Sequence, residues 1–171
     1  MANHDKFLER LSNSRHAIWL VAYQLWLNGW TVVIPTTKKA PSPDLWKQYA
    51  DQGDLFVTKQ VLLNVIDYKI EIKHINTQFH DAKSWPHRYY YVCAKHSFDA
   101  AQRKADFYIN ISEDYLRAGI VEVANTKQSW DITTTRDKGY KNTQEVYYCP
   151  LYLVKFTNVG GMNLWIQFNT K

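Results

Sequence analysis

The sequence predicts an α/β (α+β) protein with a central mixed β-sheet flanked by helices. Two observations carry that expectation. Apolar residues recur at helical spacing over one long stretch, residues 5–28, whereas most later apolar segments are short, β-branched and aromatic. Strand-like segments also outnumber helical ones too strongly for a doubly wound parallel sheet.

The first helix is read from Phe7, Leu8, Leu11, Ile18, Val21, Ala22 and Leu25. Asn28-Gly29 supplies its stop, because glycine tolerates the left-handed geometry at a helix end. Residues 30–35 (WTVVIP) read as a strand, and residues 36–42 as a loop carrying Lys38 and Lys39. Residues 43–49 are expected to form a short helix capped by Ser42. Gly53 and Asp54 then form a turn into the apolar Leu55-Phe56-Val57. Residues 61–74 look like a hairpin strand with its lead-in, and residues 76–88 like an irregular polar loop. Strands are expected at 89–94, 105–112 and 119–124, with a short helix at 98–104. The polar stretch 130–144 reads as an exposed basic loop with Arg136, Lys138 and Lys141 around Gly139. The apolar run 147–156 and the tail 164–168 complete the sheet-forming material.

A chain of 171 residues suits one domain with a proper core. At 46% hydrophobic and 22% charged, its composition is that of a globular protein and argues against disorder. No apolar stretch reaches the roughly 18 residues of a membrane span; the nearest, 17–27, is interrupted by Gln24. The polar first ten residues do not read as a secretory signal, so a cytoplasmic, soluble protein is expected. Cys93 and Cys149 are then buried free thiols, and neither has the CxxC partner of a zinc site. The six histidines do not fall at metalloprotease or zinc-finger spacings. A net charge of +5 favours polyanionic partners in general. Seven Trp and twelve Tyr could stack on bases, although such residues first of all fill cores.

The sharpest local feature is Tyr68-Lys69-Ile70-Glu71-Ile72-Lys73-His74. Alternation along a strand turns Tyr68, Ile70 and Ile72 to the core and Lys69, Glu71 and Lys73 to the other face. Glu71 and Lys73 then stand about 7 Å apart. A carboxylate beside an ammonium suits phosphodiester hydrolysis: the first can hold Mg²⁺, the second can serve the attacking water and the charged transition state. One carboxylate alone is a poor Mg²⁺ site. Asp54, seventeen residues earlier, opens a strand that a hairpin would lay beside Glu71, and the Ile72 backbone carbonyl is a further candidate ligand. Against this stands the ordinary reading of Glu-x-Lys on a strand as a solvated face.

Other polar residues have plainer readings. Asp67 suits a hairpin turn, and Gln78, His80 and Asp81 a surface loop that Trp85-Pro86 pins to the core. Arg103 and Lys104 can offset a helix macrodipole. Lys38, Lys39, Arg136, Lys138 and Lys141 are candidates for backbone contacts to nucleic acid that position it without reading its sequence.

Gly53-Asp54-Leu55-Phe56-Val57 followed by Ile70-Glu71-Ile72-Lys73-His74 resembles the core signature of the PD-(D/E)XK nucleases. That superfamily includes many restriction enzymes, phage exonucleases and junction resolvases. A helix ending at Leu27-Asn28-Gly29-Trp30, a strand after it, and a later strand at Lys104-Ala105-Asp106-Phe107-Tyr108 after a short helix match the family's order. The resemblance covers about residues 5–112, leaving 113–171 as a C-terminal extension of a single nuclease-like domain. It implies a restriction-endonuclease-like core and a nuclease that hydrolyses phosphodiester bonds, most of all in DNA. Asp54, Glu71 and the Ile72 carbonyl would hold Mg²⁺, with Mn²⁺ able to substitute, and Lys73 would complete the catalytic set. Many relatives are homodimers, and the small size suits a phage-type enzyme by analogy.

One departure stands out. Many members carry an acid on the first helix a few residues before an alanine such as Ala22, where this chain has His16, Ile18 and Trp19. Either Glu9 reaches the site, or His16 or Gln24 substitutes, or the helix contributes nothing. The alternative reading is a catalytically inactive nucleic-acid- or partner-binding module on the same fold. A third is a basic interaction protein.

Overall fold

Ala17, Val21, Ala22 and Leu25 lie at three- and four-residue steps and are all buried, which makes them the inward stripe of helix α1 (Ala2–Leu27). The helix stops as its sequence requires. Gly29 adopts a φ of +76°, its N–H donates to the Trp26 carbonyl (2.9 Å), and the Trp30 N–H donates to the Leu25 carbonyl (3.2 Å). This is the Schellman pattern, completed by the burial of Leu25 and Trp30 in one cluster. The computed structural model describes the backbone of residues 2–36, 53–136 and 143–164, and the side chains of 12–36, 53–135 and 143–162.

The β-branched segments that follow assemble into a six-stranded mixed sheet. Strands β1 (Thr31–Val33), β2 (Leu55–Val61) and β3 (Asn64–His74) form an antiparallel meander. The chain then leaves the sheet through β4 (Tyr90–Ala94) and helix α2 (Lys95–Ala100) before returning as β5 (Phe107–Ile111), parallel to β3. Strand β6 (Arg117–Glu122) and, after a short helix α3 (Val123–Thr126) and two further strands, β9 (Lys155–Asn158) extend the sheet antiparallel, giving the order β1-β2-β3-β5-β6-β9. β4 instead joins β7 (Asp131–Arg136) and β8 (Thr143–Cys149) in a second, antiparallel sheet ordered β4-β8-β7.

The large sheet separates two cores. Leu55, Val57, Ile70, Ile72, Ile109 and Ile111 turn to α1 and to the 3₁₀ helix Val159–Leu164. Tyr108 and Val121 turn the other way, toward Tyr90, Val92, Phe98, Trp130 and Tyr147 of the small sheet and α2. The expected α/β architecture with a mixed sheet is therefore present. So is the alternation in β3, where Ile70 and Ile72 are buried against α1 and Glu71 and Lys73 lie on the opposite face.

Three expectations are corrected. The short helix lies at Lys95–Ala100, not 98–104, because Lys104 caps it from outside: its ammonium donates to the carbonyls of Phe98, Asp99 and Ala101. Residues 131–136 are strand, not loop; the β-branched run Ile132 to Thr135 pairs along β8. The apolar run 147–156 is not one strand. Pro150 cannot donate to a ladder, so β8 ends at Cys149, a 3₁₀ turn (Leu151–Leu153) follows, and β9 joins the other sheet. The helix expected at 43–49 lies outside the described residues, as does the strand expected at 164–168 apart from Leu164, which ends the 3₁₀ helix.

Cys93 and Cys149 are free and buried. Burial pushes both thiols up, Cys149 to about 11. Since the thiolate is the reactive form, neither should react with a disulfide reagent at pH 8 in the native protein, and both should react in guanidinium chloride. Rapid native modification would refute the placement of β4 and β8.

Candidate active site

The site is built by the β2-β3 hairpin. Leu55 pairs with Ile70, which brings Asp54, one residue earlier, alongside Glu71 at the same end of the sheet. Beyond the last paired residue the Asp54 side chain continues the ladder: the Ile72 N–H donates to Asp54 Oδ2 at 2.6 Å. On the other flank of β3, the Lys69 N–H donates to Asp106 Oδ2 at 2.7 Å and the Asp106 N–H donates to the Lys69 carbonyl at 2.8 Å. Two aspartates, each just ahead of a neighbouring strand, thus hold β3 from both sides.

Gly53 makes the Asp54 turn feasible. Its φ of +129° lies where side chains are strained. A β-carbon there would overlap the Lys69 Cε and stand 3.4 Å from Glu71 Oε1. Gly53→Ala is therefore expected to cost about 1–3 kcal/mol of stability, the range for a residue forced into a sparsely populated backbone conformation. Urea denaturation checks this, and an unshifted midpoint would refute the tight packing of the turn.

Glu71 and Lys73 face a cleft of ≈ 480 Å³ between β3, β4 and α2, also lined by Lys69, Cys93, His96 and Tyr108. The Glu71 carboxylate lies 3.5 Å from the Lys69 ammonium, which also donates to the Arg103 carbonyl at 3.3 Å. The Lys73 ammonium donates to the Val92 carbonyl at 3.1 Å. Tyr108 sits beside Glu71 in the parallel β3-β5 pairing. Burial raises the Tyr108 hydroxyl above its ordinary value, with Cys93 and then Glu71 adding to the rise. Burial likewise raises the Cys93 thiol, against a pull downward from Tyr108 and Lys73. Both groups therefore stay protonated at neutral pH.

The oxygens offered to a cation are those of Asp54, Glu71 and the Ile72 backbone. The N–H and C=O of one strand residue point to the same side. The Ile72 carbonyl therefore faces the edge where its N–H meets Asp54. Two carboxylates and a carbonyl make a hard, all-oxygen set of the kind that takes Mg²⁺ with substrate phosphate and water completing the shell. Among the described residues no group of three or more His, Cys, Asp or Glu side chains is placed to hold a metal.

The β2-β3 register sets Asp54 opposite Glu71, the Asp54 carboxylate accepts from the Ile72 N–H, and Glu71 and Lys73 line one cleft. His16 does not join them: its ring meets the edge of Tyr115 at 4.6 Å, and Tyr115 stacks on His74 at 4.3 Å. His74 alternates with Lys73, so this stack lies on the α1 side of the sheet. Gln24 is half-buried on α1, the helix packed on that same side. The Glu9 side chain, Lys38, Lys39, Lys138, Lys141 and the Arg136 side chain lie outside the described residues. Arg103 pairs with Asp67 at 2.8 Å and with Asp106 at 3.7 Å, while Lys104 serves the α2 carbonyls.

Lys69 and Tyr108 are the site residues that sequence reasoning passed over. Alternation alone placed Lys69 on the face of Glu71, so its signal was present. Tyr108 depends on the β3-β5 register, which no local pattern reveals.

Compared with known proteins, the chain matches no family model, no curated protein and no solved structure. Among the described residues no helix is long and apolar enough to cross a membrane.

Proposed function

We propose that the chain is a metal-dependent nuclease of the PD-(D/E)XK type, hydrolysing phosphodiester bonds in nucleic acid, most of all DNA. The observation that carries this reading is the Asp54 carboxylate bonded to the Ile72 N–H, in register with Glu71, which lines a cleft together with Lys73. The element order supports it. A helix and the strand after it, the Asp54 and Glu71 segments in turn, and a later strand after a short helix follow one another as the resemblance implies.

Asp54, Glu71 and the Ile72 carbonyl would hold the ion. Bound Mg²⁺ or Mn²⁺ supplies Lewis-acid polarisation of the phosphate and an acidified water. The chain's own groups do the rest. The Asp54 bond to the Ile72 amide fixes the ligand edge. Lys73, held at the Val92 carbonyl, is within the cleft to donate to a phosphate oxygen or to the attacking water.

The test is cleavage of plasmid and of single-stranded, duplex and branched oligonucleotides, with and without Mg²⁺ or Mn²⁺. Cutting that requires the ion is the expected result; no cutting of any substrate refutes the nuclease reading. A second reading, a binding module with a vestigial site, draws on the placement of His16 on the far side of the sheet and on the engagement of Lys73 by Val92. Metal-independent binding of nucleic acid, unaltered by Asp54→Ala, would favour it. A cytoplasmic, phage-type setting and a homodimer remain part of the proposal by analogy with the family.

A further inference from the structure

We infer that Lys69 is a positioning residue that sets the divalent-ion affinity of the Asp54-Glu71 site; this rests on the nuclease reading above. Lysine is seldom buried unless paired, yet Lys69 is only 7% exposed. Its ammonium has two partners inside the cleft, Glu71 Oε1 at 3.5 Å and the Arg103 carbonyl at 3.3 Å. Its stem runs beneath Gly53, one residue from Asp54, with no room for a β-carbon between them. One side chain therefore touches the turn that presents the first carboxylate and the head group of the second.

The chemical consequence follows from charge. A divalent ion bound by Glu71 shares that carboxylate with a fixed monovalent cation, and like charges at such range repel strongly where water is partly excluded. Lys69 holds Glu71 in place and at the same time weakens the hold of the site on metal. Replacing it by a neutral side chain removes both effects. Metal binding tightens, while the carboxylate loses the contact that orients it. A purely structural lysine would behave differently, since a loosened site binds metal less tightly.

The experiment is calorimetric titration of the folded protein with Mn²⁺ alone, for the parent, Lys69→Met, Lys69→Gln and Lys69→Arg, with folding checked by circular dichroism. Lys69→Gln can still donate to the Arg103 carbonyl and guards against a packing failure in Lys69→Met. The neutral variants are expected to bind Mn²⁺ about tenfold more tightly or better. Lys69→Arg should stay near the parent value. In cleavage, the neutral variants should reach half-maximal rate at lower Mn²⁺ and plateau at a lower kcat. Equal or weaker Mn²⁺ binding by folded neutral variants, beside a parent that binds, overturns the role of Lys69 and leaves the nuclease reading standing. Absence of Mn²⁺ binding by parent and variants alike overturns both.

Discussion

Glu71→Ala is expected to reduce metal-dependent cleavage by about 10³-fold or more, equivalent to roughly 4 kcal/mol of transition-state stabilisation, without unfolding the protein. The side chain of Glu71 is 28% exposed and lies on the face of β3 away from the α1 core. Its loss opens no hydrophobic cavity and leaves the Ile72-Asp54 bond intact. Lys69 keeps the Arg103 carbonyl as a partner, so the melting temperature should move by only a few degrees. Lys73→Ala should also abolish cleavage, since its ammonium lies in the cleft, where the Val92 carbonyl holds it. Asp54→Ala differs from both. It removes a carboxylate and also leaves the Ile72 N–H without the Oδ2 acceptor, which costs about 1–3 kcal/mol when such a donor is shielded from water. Steady-state cleavage beside thermal melts separates the three. A fully active Lys73→Ala protein, or a Glu71→Ala protein that cuts as well as the parent, would sink the assignment.

What the sequence disclosed and what it hid follow one physical division. Local signals were legible. The 3.6-residue stripe and Asn28-Gly29 place α1 and its end, and the period of two in residues 68–74 sorts Glu71 and Lys73 from Ile70 and Ile72. The glycine before Asp54 marks a turn, and a hairpin is the shortest way to bring Asp54 to Glu71. Contacts that depend on chain segments far apart were not legible. The bond of Lys73 to Val92 spans nineteen residues and two sheets. That Arg103 turns to Asp67, or that β4 leaves the large sheet for β8, cannot be read from composition or period. The polar run 131–136 is ambiguous for a related reason: threonine is as much at home in an exposed strand as in a loop, and only pairing with β8 decides between them. His16 shows the limit from the other side. Its place on the first helix suggested a substitute ligand, but the side of the sheet on which α1 packs is a tertiary fact.

Gly119→Ala carries the largest stability effect expected in the fold. Gly119 lies within β6, paired with Asn110 of β5 on one side and Phe156 of β9 on the other. Tyr90 of the small sheet lies directly over it. The Tyr90 ring is fully buried, and its hydroxyl donates to the Gly119 carbonyl at 2.6 Å. A β-carbon at 119 would stand 2.5 Å from Oη, 2.8 Å from Cε2 and 3.0 Å from Cζ. The ring has little freedom to retreat, because Trp85 packs against it at 4.8 Å between centroids and Phe156 at 6.0 Å. Overpacking of this kind costs about 1–3 kcal/mol, and loss of the buried hydrogen bond adds about 1 kcal/mol. A destabilisation of roughly 2–4 kcal/mol, or about 5–15 °C in Tm for a chain of this size, is expected. Tyr90→Phe alone should cost only about 1 kcal/mol, as it removes the hydroxyl and keeps the ring. The pair Gly119→Ala with Tyr90→Phe should be less destabilised than the sum of the two, because removing Oη relieves the closest contact while Cε2 and Cζ still press on the new methyl. The consequence reaches the site. Val92, two residues from Tyr90 on β4, supplies the carbonyl that holds Lys73. If Tyr90 on Gly119 fixes the spacing of the two sheets, Gly119→Ala must lower cleavage even at temperatures where the protein remains folded. A variant that melts like the parent would refute the close approach of the sheets, and one that is destabilised but cuts normally would show that Lys73 does not depend on β4 for its position.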